Sequence, residues 1–139
     1  MPRLSLWFLR SALTYLVLGV SAGALLLANR GVPFGTRVPL LRPLHVEFLL
    51  VGWTIQLAFG VAFWILPRFR AGAERRRERL AWIAYWLLNA GVLTTGIGGT
   101  AGAPGEVALA GHATEALAAT VFALHAWPRL KAAGVRTQG

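Results

Sequence analysis

Apolar residues gather into four long runs, and the short stretches between them hold nearly all of the charge. The runs cover residues 11–28, 44–66, 80–98 and 107–127. Crossing about 30 Å of hydrocarbon takes about 20 helical residues at 1.5 Å each, and each run comes close to that length or exceeds it. The pattern predicts four membrane-spanning α-helices. Pro43 stands at the start of the second run, where a missing N–H costs nothing. Pro67 and Pro128 are expected to close the second and fourth helices, because the residue before a proline is pushed out of the α region. The Gly-rich stretch 96–105 reads as the turn between the third and fourth helices. Arg3 and Arg10 ahead of the first run would suit a signal peptide. That run is longer than an ordinary signal core, however, and no small-residue cleavage site clearly follows it, so it is read as a helix.

Composition agrees with a bilayer. Of the 139 residues, 56% are hydrophobic and 14% charged, whereas soluble domains carry about a quarter charged residues. The expected fold is therefore an all-α integral membrane four-helix bundle in a single domain. A net charge of +9 would raise nucleic acid as a partner for a soluble chain. Here no basic stripe interleaved with aromatics is present, and no nucleic acid is expected.

The charges set direction instead. Eleven of the fourteen Lys and Arg residues fall on one side of the predicted helices: Arg3 and Arg10, Arg68 to Arg79 after the second helix, and Arg129, Lys131 and Arg136. Only Arg30, Arg37 and Arg42 fall on the other. The positive-inside rule then puts both termini and the basic loop in the cytoplasm, for a multi-pass protein of the cell's inner (plasma) membrane. Arg75, Arg76 and Arg77 read as a topology anchor that meets anionic lipid head groups. Gly19 and Gly23 form a small-xxx-small face for close helix approach, inside this bundle or, alternatively, in a homodimer.

No Cys is present, which excludes disulfides, thiolate metal sites and covalent c-type haem attachment. The chemistry rests on ionisable residues at membrane depth, each costing at least about 2.5 kcal/mol to insert. His45 and Glu47 lie near the outer end of the second helix, His112 and Glu115 in the outer half of the fourth, and His125 near its inner end. Helical spacing puts His45, Leu49, Gly52, Gln56 and Phe59 on one stripe, with Glu47 about 200° away. His112 and Glu115 share a face, above a column of Ala116, Ala119, Ala123 and Ala126 that reads as a recess.

Imidazole is a common axial ligand of haem iron, so His45 and His112 are candidate ligands of a b-type haem held between helices. Their depths differ by about 9 Å at 1.5 Å per residue. The alternative is an interfacial His45 bonded to water or to the first loop. A carboxylate-rich set of His45, Glu47, His112 and Glu115 could instead hold non-haem iron or another divalent ion, although Glu47 faces away from His45. His125, beside Trp127 at the inner interface, reads as structural. The Gly96-x-Gly98-x-x-Ala101 match to a dinucleotide fingerprint follows a membrane helix rather than a strand, and is coincidental.

The stretch from Arg42-Pro-Leu-His45 through Gly52-Trp53 to Gly60 and Leu66-Pro67-Arg68 resembles the second helix of haem–copper oxidase subunit I, closest to the cbb3-type oxidase and nitric-oxide-reductase branch. Ala84-Tyr85-Trp86 to Asn89-Ala-Gly91 is similar to the next helix of small relatives. The resemblance covers roughly residues 40–98. It implies that His45 is an axial ligand of a low-spin haem b on the outer side of the membrane, with Gly52 giving room for the macrocycle and Arg42 and the other first-loop arginines pairing with the propionates. The family's full core has about twelve helices and further His ligands for a second haem and copper. This chain has four predicted helices and three His, so oxygen or nitric-oxide reduction by it alone is not expected. The second ligand would come from His112, a second copy or a partner subunit. The functions that follow are haem-b-dependent electron transfer or redox sensing, or alternatively a haem-free structural or assembly subunit of a respiratory membrane complex.

Overall fold

The computed structural model describes residues 2–66 and 74–134, with the backbone alone for 74–77 and 130–134. The described elements are helical. Helix α1 spans Arg3–Gly31. Helix α2 spans Val38–Ile65 and is composite: a 3₁₀ turn Val38–Leu41, an α segment Arg42–Glu47, a π segment Phe48–Ile55 and an α segment Gln56–Ile65. Helix α3 spans Glu74–Thr100 and α4 spans Gly105–Gly134. All four contain stretches long and apolar enough to cross a membrane.

The outward faces are apolar, as lipid requires. Leu13, Val17, Leu27, Leu50, Ile65, Trp86, Leu109 and Leu124 all stand exposed. The interior is partly polar, with Ser5, Gln56, Thr95, Glu115, His125 and Arg129 buried. In lipid the hydrophobic effect does not drive helices together, so tight packing and interhelical hydrogen bonds take its place. One aromatic cluster joins all four helices. Phe8 of α1 meets Phe59 of α2 at 6.2 Å, Tyr85 of α3 at 5.1 Å and Phe122 of α4 at 6.2 Å, each edge-on. Phe59 and Phe122 stack at 4.1 Å.

Above this cluster lies a polar layer. Asn89 Oδ1 accepts from the Tyr15 hydroxyl at 3.0 Å and from Gln56 Nε2 at 3.3 Å, while Asn89 Nδ2 donates to the Tyr85 carbonyl. The Ser11 and Tyr85 hydroxyls share a hydrogen bond of 2.8 Å. Lower down, Ser5 Oγ donates to the Gly60 carbonyl at 2.8 Å and ties α1 to α2.

Helix ends differ from the expected ones for identifiable reasons. Helix α1 begins at Arg3 rather than near 11, because Leu4, Ser5, Phe8 and Ala12 are buried against the bundle. Helix α2 ends as expected: Leu66 is extended (φ −61, ψ 138) ahead of Pro67. Helix α3 continues through Gly96, Gly98 and Gly99, which meet Phe48, Val107 and Pro43 closely. The turn is therefore short. Gly102 takes φ 71, Gly102 N donates to the Gly99 carbonyl and Ala103 N to that of Gly98, a Schellman closure that relies on glycine's access to the left-handed region.

Pro128 does not end α4 but lies inside it. Membrane helices tolerate this where neighbours re-satisfy the backbone, and Arg129 anchors the turn by donating from Nη2 to the Leu66 carbonyl at 3.1 Å. The basic loop residues Arg68 and Arg70 and the tail residue Arg136 fall outside the described residues, as do the side chains of Arg75, Arg76, Arg77 and Lys131.

Candidate functional site

His45 sits in the first full turn of the α segment of α2, and its imidazole lies against α1. Nδ1 is 2.8 Å from the Gly19 carbonyl oxygen. A carbonyl only accepts, so Nδ1 carries the proton, which leaves Nε2 as the nitrogen able to offer a lone pair. Gly23 makes this possible: a Cβ there would come within 2.5 Å of His45 Cε1 and 2.8 Å of Nδ1. The Gly19 and Gly23 face is thus used for packing within the chain, Gly19 receiving Leu49 and Phe48.

Beside His45 opens a cavity of about 480 Å³. Leu26, Leu27 and Val46 make it apolar, and Arg30 and Arg42 contribute to its wall. Asn29 also lines it, but its Oδ1 is taken up by the Phe34 and Gly35 amides at 3.1 and 2.9 Å, which folds the first loop back onto the end of α1.

His112 stands elsewhere. It belongs to the rim of α4, its side chain 57% exposed, with Nδ1 3.1 Å from Glu115 Oε2. The same cluster includes Glu47, so that one ligand atom from each of Glu47, His112 and Glu115 lies within 4.8 Å of the others. His45 and His112 therefore do not face one another across a shared space: His45 turns to α1, and the side chain that α2 turns toward His112 is Glu47. The angular separation read from helical spacing explains this, since residues two apart on a helix point in nearly opposite directions.

Gly52 also lies away from the His45 cavity. It is buried under Tyr15, whose Cγ would be 2.7 Å from a Cβ added there, so its smallness serves the α1–α2 contact. The column of Ala116, Ala119 and Ala123 faces outward and is exposed. The buried stripe of α4 is instead Gly111, Glu115, Ala118, Phe122, His125 and Arg129. Alanine spacing alone does not reveal which stripe the other helices of the chain cover. Arg42 and Arg30, both read from the sequence as first-loop arginines, line the cavity.

His125 is structural here. It is 2% exposed, stacks on Phe63 at 5.4 Å, and accepts at Nε2 from Arg129 Nη1 at 3.2 Å.

A family model described as cytochrome c and quinol oxidase polypeptide I matches residues 3–128. The chain belongs to that family. No curated protein and no solved structure gives a match. Membership in the cytochrome c and quinol oxidase polypeptide I family makes haem the group to test against the residues present. They fit on three counts: a helical imidazole whose Nδ1 is committed to a carbonyl, a glycine cradle that a Cβ would fill, and an apolar recess with two arginines at its wall. Among the described residues the cavity wall offers one imidazole.

Proposed function

We propose that this oxidase-like membrane protein binds a b-type haem at the His45 cavity and serves electron transfer or redox sensing. The observation that carries the reading is the His45 Nδ1–Gly19 carbonyl hydrogen bond at 2.8 Å. Such a bond orients an imidazole, sets its tautomer and raises the basicity of the opposite nitrogen, which is what an iron ligand needs. When bound, haem supplies a one-electron iron couple whose potential the surrounding charge and burial tune.

The chain's own residues would do the rest. His45 would ligate through Nε2. Leu26, Leu27 and Val46 would exclude water from the macrocycle edge, and Arg30 and Arg42 would hold its carboxylates at the outer surface. His112 is engaged with Glu115, so a second iron ligand, if one is used, would come from a second copy of the chain or from a partner subunit of a respiratory complex. The pattern around His45 to Arg68 supports the cbb3-type and nitric-oxide-reductase branch. The excess of Lys and Arg on one side supports an inner-membrane location with both termini in the cytoplasm.

The test is spectroscopic. Protein purified from haem-replete cells should show Soret and α bands that disappear in His45→Ala and persist in His112→Ala. A colourless wild-type preparation would refute haem binding and leave the haem-free subunit as the better account.

A further inference from the structure

Glu47 of α2 and Glu115 of α4 are both buried, 6% and 9% exposed, at a depth where one carboxylate already costs at least about 2.5 kcal/mol. Two carboxylates side by side repel one another unless a positive charge lies between them. Protein groups meet only part of this demand. Glu115 Oε1 accepts from the Thr95 hydroxyl at 3.2 Å and Glu115 Oε2 faces His112 Nδ1 at 3.1 Å. Glu47 Oε1 is buried with no hydrogen-bond partner among the described residues. Its residue belongs to the cluster in which Glu47, His112 and Glu115 bring one donor atom each within 4.8 Å.

We propose that Glu47, His112 and Glu115 form a site for one divalent first-row transition-metal ion, distinct from the His45 cavity and on the opposite face of α2. The donor set chooses the class of ion. Two carboxylate oxygens and one imidazole nitrogen, with no sulfur, suit Zn²⁺, Mn²⁺ or Fe²⁺ rather than a soft ion such as Cu(I). Bonds to such an ion are about 2.0–2.2 Å, so its donors sit somewhat closer together than 4.8 Å, a difference that small side-chain rotations cover.

The bundle is built around these groups. A Cβ at Gly91 would lie 2.6 Å from Glu115 Cγ, and Gly111 lies against Thr95. Glycines at both places let α3 and α4 close until Glu115 is buried and Thr95 can orient it, a supporting bond of the kind that positions metal ligands. The exposed side of His112 leaves a path for the ion to enter and room for exchangeable ligands.

The test uses the purified protein in detergent, stripped with a chelator, dialysed and reloaded with Zn²⁺, Mn²⁺ or Fe²⁺ separately, with bound metal measured per chain. One ion per chain is expected for at least one of the three. Its affinity should fall tenfold or more in Glu47→Gln and in Glu115→Gln, which keep the side-chain shape and remove the charge. His112→Gln, at an exposed position that does not threaten folding, should lower it as well. His45→Ala should bind the ion as the wild type does, so loss of haem and loss of metal are separate results. Sub-stoichiometric binding of all three ions, or equal binding by wild type and His112→Gln, would overturn the site and leave the two carboxyls sharing a proton.

Discussion

His45 and Glu47 lie two residues apart on α2 and serve opposite sides of it: the imidazole of His45 meets Gly19 and Gly23 of α1, and the carboxyl of Glu47 joins His112 and Glu115 of α4. One helix therefore carries two candidate sites at almost the same depth, separated by its own backbone. Their contacts do not overlap, and substitutions on one face should leave the other unchanged.

Gly23→Ala tests the cradle. The added Cβ would press on the His45 ring, and crowding a packed contact costs about 1–3 kcal/mol. The expected result is a Soret band per mole of protein reduced at least twofold, with a lower melting temperature. Gly31→Ala, whose Cβ would meet nothing within 4 Å, should match the wild type. An unchanged spectrum in Gly23→Ala would separate the haem from His45.

Replacing both Arg30 and Arg42 by Gln removes two positive charges from the cavity wall. Positive charge nearby favours the reduced iron, so the midpoint potential should fall, and haem should be lost about tenfold more readily, equivalent to about 1.4 kcal/mol. Redox titration and haem transfer to apomyoglobin measure the two effects. A potential equal to that of the wild type would mean the arginines face elsewhere in the loaded protein.

Arg129 links the C-terminal ends of α2 and α4, through the Leu66 carbonyl and His125, and its guanidinium lies over the Phe63 ring at 5.1 Å. Hydrogen bonds to charged groups contribute about 1.5–3 kcal/mol. Arg129→Leu should therefore destabilise by at least about 2 kcal/mol in denaturant titrations of the detergent-solubilised protein, and Arg129→Lys by less. Equal stability of Arg129→Leu and the wild type would show that the contact is not energetically important.

In the polar layer, Asn89 and Gln56 should respond differently. Asn89→Leu leaves Tyr15 and Gln56 without their shared acceptor, and interhelical bonds in membranes are worth about 0.6–1.7 kcal/mol each. Gln56→Leu removes a long bond but also a buried Oε1 that has no partner among the described residues, so it should be within about 1 kcal/mol of neutral. A larger loss in Gln56→Leu than in Asn89→Leu would reverse this ranking.

Orientation can be read directly because the chain has no Cys. Single cysteines at Thr36, in the first loop, and at Pro2 should label with a membrane-impermeant maleimide from opposite sides of the membrane, Thr36 from outside. Labelling of Pro2→Cys in intact cells would contradict a cytoplasmic N-terminus.

The sequence by itself determined the four helices, because the length of an apolar run is measured against the thickness of the bilayer and needs no partner. It also determined the opposition of His45 and Glu47 and the shared face of His112 and Glu115, which follow from helical periodicity within a single element. Tertiary structure decided everything that depended on which stripe a neighbouring helix covers. It turned His45 onto α1, brought Glu47 to Glu115 across two helices, put Gly52 beneath Tyr15, left the alanine column facing outward, and carried α4 through Pro128. Periodicity gives directions around one helix axis, whereas a site needs the directions of several helices to converge. That convergence is set by glycine-permitted close approach and by the few hydrogen bonds that lipid cannot replace.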